Sequence, residues 1–146
     1  MAKTYRKTPV QRVGNVFMTR MILLGVGGKG MTLLSVPDEQ SGGMQSTPVT
    51  VIDHGSDRWL VAPYGVTRWV KNARAAGWVE LRRGRRRERV SVVEVDPGAG
   101  APVLREYVQR VAMVRPYVDV DPDASDEAFA AQVPTHPVFR IAGPAP

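Results

Sequence analysis

Apolar residues recur every three or four positions near the start of the chain. Thr8 can cap a helix there, and Pro9 suits its first turn. The apolar residues on one face are Val10, Val13, Phe17, Met21 and Leu24. The spacing predicts an amphipathic helix that ends at Gly25, after a loose basic tail over residues 1–7.

The pattern then changes to short β-type segments separated by turn residues. Strands are predicted over residues 31–36, 47–53 and 58–62. A polar, Gly-rich loop over residues 38–45 separates the first two strands. Residues 54–57 form a hairpin turn between the second and the third.

The second half of the chain mixes helices with a long hairpin. Thr67 caps a predicted helix that runs to Ala76 and stops at Gly77. A hairpin is predicted from residues 78–82 and 87–95, around Gly84. Residues 97–100 read as a linker.

Two further helices and a strand complete the pattern. Pro102 opens a helix whose apolar face is Leu104, Tyr107, Val108, Val111 and Val114. Ser125 caps a short helix over residues 126–131, and residues 137–141 form a last strand. Residues 142–146 are expected to be a loose tail. The order of elements predicts one α+β domain over residues 1–146, centred on a barrel-like sheet of mostly antiparallel strands.

Composition narrows the chemistry. The 146 residues are 43% hydrophobic and 23% charged, as in ordinary globular proteins. The absence of cysteine excludes disulfides and thiolate catalysis. His54 and His136 lie far apart, so no metal site is expected. No apolar run reaches the ~18 residues of a membrane span, which makes the cytoplasm the expected location.

The chain is basic, with a formal net charge of +6 and a pI of about 10.2. This suits nucleic acid, a polyanionic coenzyme or an anionic membrane surface as partner. The densest basic run, residues 82–89, lies at a hairpin tip without interleaved aromatic residues, so a solvated end is favoured and no nucleic acid is expected. The basic first helix is a candidate for peripheral contact with a membrane, at its inner face.

A glycine motif and a helix start are the clearest local signals. Residues 25–30 match G-x-G-x-x-G but stand between a helix and a strand, the reverse of the dinucleotide-binding order. They therefore predict a flexible loop. The helix start at Thr67 offers free N–H groups to an anion, with Arg68 and Lys71 nearby. Tyr64, Tyr107 and Tyr117 are each able to donate a proton.

Several segments, in order, resemble a known family. Residues 33–36, a loop with Ser41 and Gly42, and residues 46–49 resemble its first two strands. Residues 59–65 and 69–77 resemble its third strand and helix. The family is the deazaflavin (coenzyme F420)-dependent nitroreductases, relatives of the flavin-binding split β-barrels. The resemblance implies a split β-barrel and hydride transfer from reduced F420 to quinones, enones or nitro compounds.

Site residues are carried over from the family by position. The resemblance implies coenzyme contacts by Ser41, Gly42, Gln45, Thr47, Pro48, Val49, Ala62, Pro63, Tyr64, Gly65, Arg68, Trp69, Lys71 and Asn72. F420 is expected in preference to FMN, and the partner is a small-molecule acceptor. Tyr64 is the first candidate for the proton donor, with Tyr107 or Tyr117 as substitutes. Pairing of sheets into a homodimer is a further expectation.

The chain departs from the family where cations usually hold the coenzyme's anionic tail. Residues 38–40, Asp-Glu-Gln, replace a Gly-Arg-Lys segment, and Gln45 and Tyr64 replace basic residues. An exposed carboxylate would repel the tail by about 1 kcal/mol per pair. Basic residues available to compensate are Lys29, Arg68, Lys71 and Arg74. The alternative hypothesis is a non-enzymatic split-barrel protein that binds a flavin-like or lipophilic ligand.

Overall fold

The computed structural model describes residues 18–23, 25 and 28–145. Residues 18–23 are helical, in agreement with the first predicted helix. The tail over residues 1–7, the start of that helix and part of the Gly-rich loop lie outside the described residues. Within the described residues, none of the helices combines the length and the apolar character needed to span a membrane.

Besides the helical residues 18–23, seven strands and three α-helices make up the described fold. The strands are β1 (Met31–Pro37), β2 (Met44–Thr50), β3 (Ile52–His54), β4 (Asp57–Val61), β5 (Trp78–Arg83), β6 (Arg86–Glu94) and β7 (Val138–Pro144). The helices are α1 (Arg68–Ala76), α2 (Pro97–Arg110) and α3 (Asp126–Gln132), with a 3-10 helix at Ala112–Tyr117 between the last two.

One strand segment curls the sheet into a half-barrel. The strand order is β2-β1-β5-β6-β7-β4-β3, and every pair is antiparallel. β2 and β3 lie at opposite edges, yet only Val51 separates them in sequence. The chain therefore brings the two edges together at Val51, and the Val51 N–H continues the β1–β2 pairing by donating to the carbonyl of Gly30 at 2.9 Å. The predicted α+β fold with a split β-barrel is confirmed.

The core consists of two clusters on either side of the sheet. The barrel cluster fills the interior and includes Leu34, Val79 and Phe139, with Trp69 and Val70 of α1 closing it. The helix cluster is formed where α2, α3 and the 3-10 helix cover the outer face of β3, β4 and β7. Its members include Ile52, Trp59, Leu104, Val108 and Phe129. Each helix thus buries an apolar face, which supplies most of its stability.

Helix α1 has the bounds that the sequence predicts. Thr67 occupies the cap position with extended backbone, although its side chain makes no capping hydrogen bond. Gly77 ends the helix at φ 77°, a conformation that glycine adopts without steric cost. The first turn of α1 therefore presents its N–H groups beside the loop of residues 62–66.

The start of α2 differs from the prediction. The helix begins at Pro97, so residues 97–100 are its first turn rather than a linker, and Pro102 lies inside it. The Asp96 side chain accepts a hydrogen bond from the Ala99 N–H at 2.8 Å, and Pro97 needs no hydrogen-bond partner in the first turn. Capping therefore outweighs the low helix propensity of this Pro- and Gly-rich segment.

Strand β7 is longer than predicted. Residues 142–144, expected in a loose tail, continue the strand beside Val90 and Ser91. The register shifts between Ser91 and Val92, and Gly143 adopts φ 139°. A bulge of this kind lets a strand bend and stay paired. The Ala145 N–H also donates to the carbonyl of Arg89 at 3.0 Å, so the segment is tied to β6.

Candidate functional site

A cleft of about 460 Å³ lies between β2 and the start of α1. One wall is β2, and the other is the 63–64 loop with the first residues of α1. The far end is closed by α2 and the 3-10 helix. The lining residues are Met18, Met31, Gln45, Ser46, Thr47, Pro48, Val49, Thr50, Val61, Pro63, Tyr64, Thr67, Arg68, Trp69, Tyr107, Val111, Met113 and Val114.

The cleft brings together many of the residues singled out by sequence. Those that line it are Gln45, Thr47, Pro48, Val49, Pro63, Tyr64, Arg68, Trp69 and Tyr107. Those that do not are Ser41, Gly42, Ala62, Gly65, Lys71, Asn72 and Tyr117. Ala62 is buried in the barrel cluster, and Lys71 is exposed on α1. Ser41 and Asn72 belong instead to a network around Asp38.

Asp38 is the centre of a hydrogen-bond network at one end of the cleft. Its side chain is 1% exposed. Arg68 donates to both carboxylate oxygens, through Nε at 3.0 Å and through Nη2. Ser41 Oγ donates at 2.7 Å and Asn72 Nδ2 at 3.1 Å. The Arg68 guanidinium, helped by these donors, holds the pKa of the Asp38 carboxyl well below its usual range, against the effect of burial.

The same network positions the entrance of β2. Asn72 Nδ2 also donates to Gln45 Oε1 at 3.0 Å, and the N–H of Glu39 donates to Asn72 Oδ1 at 3.3 Å. One buried amide thus connects the 38–43 loop, β2 and α1. The sequence allowed Arg68 to replace the missing cations that usually hold the coenzyme's tail. In the structure, its charge is instead balanced by Asp38. Arg74 is engaged too, in a two-pronged pair with Glu94 at 2.7 and 2.8 Å.

Of the three tyrosines named from sequence, Tyr64 and Tyr107 line the cleft, and Tyr117 packs against Tyr64. The rings of Tyr64 and Tyr117 pack edge to face, with centroids 4.9 Å apart. Tyr107 is 4% exposed. Burial, reinforced by the nearby Tyr64, raises the pKa of the Tyr107 hydroxyl, while a hydrogen bond with the Thr50 side chain acts in the opposite direction. Tyr107 therefore keeps its proton throughout the neutral range.

The end of the cleft beyond Tyr107 is apolar. It is lined by Met18, Met31, Val111, Met113 and Val114. Met113 is 66% exposed, which is unusual for so large an apolar side chain. Sequence reasoning missed the three methionines, because isolated methionines carry no motif. Val111 and Val114 were assigned to the apolar face of a helix. Such a face can contact the core or a ligand equally well.

His136 lies behind the loop that forms one wall of the cleft. It is 7% exposed, and its Nδ1 has no hydrogen-bond partner within the described residues. Burial lowers the pKa of the imidazole, although the backbone of Ala62 and Pro63 opposes the shift. The ring is therefore neutral at pH 7 and supports the loop by packing. Its environment depends on the pairing of β4 with β7, which local sequence does not reveal.

Comparison with solved structures places the fold among known proteins. The protein Atu2129, of unknown function, from Agrobacterium tumefaciens str. C58 superposes with a TM-score of 0.58 at 13% identity over 99% of this chain. This chain spans only 60% of that protein's length. A structure described as a domain-swapped dimer gives a TM-score of 0.55 at 16% identity, covering 92% of this chain and 99% of that one.

A further structure carries a functional description. The F420-H2 dependent reductase FDR-A superposes with a TM-score of 0.52 at 16% identity, covering 77% of this chain and 93% of that one. Identities this low establish the fold alone. None of the curated proteins compared with the chain matches it in sequence.

A family model provides the stronger assignment. The model of the F420H2-dependent quinone reductases matches residues 1–122. The match includes the strands of the cleft wall, α1 and α2. It confirms the resemblance to F420-dependent reductases stated from the sequence. The chain belongs to the F420H2-dependent quinone reductase family.

Proposed function

We propose that the chain binds reduced coenzyme F420 in the cleft between β2 and α1, and that it catalyses hydride transfer to a quinone or to a related enone or nitro acceptor. The observation that carries the proposal is the single cleft in which β2, the 63–64 loop, the start of α1 and Tyr107 meet. The family match supports the same coenzyme. When bound, the coenzyme supplies the hydride, and the protein supplies position and electrostatics.

The residues present suit a flat ring. The volume of about 460 Å³ falls within the range of small-molecule sites. Pro48, Val49 and Trp69 provide apolar surface, and the hydroxyls of Thr47 and Thr50 stand along the β2 wall. These residues would hold the ring and exclude water from its faces. Gln45, fixed by Asn72, would orient its edge.

The anionic tail calls for a different arrangement from the one usual in the family. Arg68 lines the cleft, but its charge is balanced by Asp38. The free N–H groups at the start of α1 remain as anion donors, and Lys71 stands exposed one turn further along. The Asp38–Arg68 pair removes the repulsion expected from an isolated acid without providing a net cation.

Two tyrosines can serve the acceptor. Tyr64 lines the cleft and is half-buried, so its hydroxyl can reach an acceptor oxygen. Tyr107 is buried, and burial raises the pKa of its hydroxyl further above the neutral range. Both would hold a proton at the phenolic oxygen, where it can stabilise or neutralise the reduced acceptor. The apolar end with Met31 and Met113 would receive the acceptor's hydrocarbon portion.

Titration of the purified protein with reduced F420, followed by addition of menadione, tests the proposal. Saturable binding and oxidation of the coenzyme that depends on the acceptor are expected. Trp69→Ala is not a useful probe, because Trp69 also closes the barrel cluster. Thr47→Val is a better variant, since it keeps the shape of the wall and removes one hydroxyl. Thr135→Val, at an exposed threonine that does not line the cleft, is its matched control.

Absence of coenzyme binding together with absence of turnover over quinone, enone and nitro acceptors would contradict the proposal. Native mass spectrometry of gently purified protein adds a second measurement. A retained flavin or lipophilic ligand other than the deazaflavin would instead support a non-enzymatic binding protein.

Two proposals on partners remain. The likeness to a domain-swapped dimer supports a homodimer, which sedimentation equilibrium would detect as twice the mass of 16.0 kDa. Contact of the N-terminal helix with a membrane concerns mainly residues outside those described. Co-sedimentation with anionic liposomes, compared with neutral ones, measures it directly.

A further inference from the structure

A second cleft, rich in arginine, lies at the tip of the β5–β6 hairpin. Its volume is about 580 Å³. Among the described residues, five arginines line it against two carboxylates, Asp53 and Glu88. The arginines are Arg58, Arg83, Arg85, Arg86 and Arg87. We call this site the arginine cleft. It opens on a different side of β1 from the coenzyme cleft, since Met31 lines one, Thr32 lines the other, and successive side chains of a strand alternate.

Internal contacts satisfy only part of this positive charge. Arg58 pairs with Glu88, and Arg87 lies 3.4 Å from Glu80. Arg83 Nη1 donates to the carbonyls of Gly28 and Met31, which fixes the guanidinium at the cleft wall. For Arg85 and Arg86, no ion pair or side-chain hydrogen bond is found in the described part of the chain, and both are exposed.

The strand register places like charges directly opposite each other. Arg83 pairs with Arg86 across the hairpin, and Arg82 pairs with Arg87 on the other face. Like charges at directly opposed positions destabilise a sheet. The hairpin turn has a backbone anchor independent of these side chains, since the Gly84 N–H donates to the Ile22 carbonyl at 2.8 Å. A bound anion would relieve the repulsion.

We infer that the arginine cleft binds a small polyanion that carries two or more linked phosphates. Guanidinium groups match phosphate oxygens in a two-pronged geometry, and Arg83 is already oriented. The concave shape favours a compact ligand over an extended nucleic-acid backbone. No aromatic side chain lines the cleft among the described residues, so stacking of bases finds no platform there. The site is separate from the proposed coenzyme site.

Isothermal titration of the full chain with tripolyphosphate at low salt tests the inference. Saturable binding to one site is expected, weakening as salt is added. Arg86→Gln should weaken it about tenfold, as for the loss of one charge-assisted hydrogen bond. Arg110→Gln is the matched control, because it changes the net charge equally on α2, outside the cleft, and should alter affinity less than about twofold.

The unliganded variant supplies an independent readout. Because Arg86→Gln removes the repulsion with Arg83, its melting temperature without ligand should equal or exceed that of the wild type. Equal weakening by both variants, or no saturable binding of tripolyphosphate, would overturn the inference. So would tighter binding of a single-stranded oligonucleotide or of citrate, which would point to a nucleic-acid or polycarboxylate site.

Discussion

Asp38 shows how a buried carboxylate is accommodated beside the cleft proposed to bind an anionic coenzyme. Four donors converge on it, from Arg68, Ser41, Asn72 and the N–H of Gln40. A buried charge is costly unless it is paired and hydrogen-bonded, and here both conditions are met. The acid therefore acts as the structural anchor of the 38–43 loop.

The depressed pKa of Asp38 predicts a pH dependence of stability. As pH falls below about 4, the unfolded state takes up a proton near the usual pKa of 3.8, whereas the folded state does not. The stabilisation from Asp38 is therefore complete above that pH and is lost as pH falls towards the folded-state pKa. The free energy of unfolding of Asp38→Asn, measured by urea titration from pH 7 to pH 2, should lack this component.

A comparison of Asp38→Asn with the wild type separates the contribution of Asp38 to the pH dependence from that of the other carboxylates. The difference in free energy of unfolding between the two proteins should shrink steadily below pH 4. A difference that stays constant over the whole range would contradict the role assigned to Asp38.

The tyrosine cluster yields a catalytic prediction. Tyr64→Phe should lower kcat/KM for a quinone by about 100-fold, a typical contribution of one acid group, while the dissociation constant of reduced F420 stays within about threefold. Tyr117→Phe, which keeps the ring packed against Tyr64, serves as the control and should stay near wild-type activity. Steady-state kinetics on both variants decide whether Tyr64 or another group donates.

At the scale of elements, the contact between Gly30 and Val51 continues the β1–β2 pairing to the point where β2 passes into β3. A Cβ at Gly30 would lie 2.2 Å from the Val51 carbonyl oxygen, and the residue adopts φ +80°. Gly77 has nearly the same conformation, φ +77°, with open space around it. A comparison of substitutions at the two glycines therefore distinguishes the cost of the left-handed conformation from the cost of a steric clash.

Gly77→Ala should cost about 1–2 kcal/mol, the price of the left-handed conformation alone. Gly30→Ala should cost at least twice as much, because the Val51 carbonyl must also move and disturb the end of the β1–β2 pairing. Thermal unfolding of both variants gives the comparison. Equal losses would mean that the close approach of Gly30 to the Val51 carbonyl adds nothing to the strain of the left-handed conformation.

The sequence predictions succeeded for elements set by interactions between residues close in sequence and failed for those set by distant residues. The hairpin around Gly84 and the whole of α1 are coded by turn residues and local periodicity, so they were predicted nearly to their ends. The start of α2 was missed, because the Asp96 cap operates inside a segment that looks like a linker. The length of β7 was missed, because it depends on pairing with the distant β6.

The candidate site divides in the same way. Residues of β2 and of the 63–69 segment were found through a family pattern that preserves local order. The Asp38–Arg68 pair spans 30 positions, and no periodicity relates the two residues. The apolar end with Met18 and Met113 joins separate segments, which only the folded chain brings together.

At the scale of the whole molecule, the two core clusters share one sheet. Leu34 belongs to the barrel cluster and Leu104 to the helix cluster, and both are fully buried. Each truncation, Leu34→Ala or Leu104→Ala, should destabilise the protein by about 2–5 kcal/mol. If the chain is one domain, as its sequence predicts, both variants should unfold in a single transition seen identically by circular dichroism and fluorescence.

Two separate transitions, or a variant in which only one probe shifts, would show that the clusters unfold independently. Hydrogen exchange would then identify the part of the sheet that remains protected.

Strand β2, which Val51 joins to β3, is also a wall of the proposed coenzyme cleft. A ligand thick enough to push β2 outward would have to break the pairing of β2 with the rest of the sheet. We therefore expect the cleft to select ligands by thickness more than by length, so that planar molecules bind and globular ones do not. A cleft with the same lining residues but with β2 detached from the sheet would lose that selectivity.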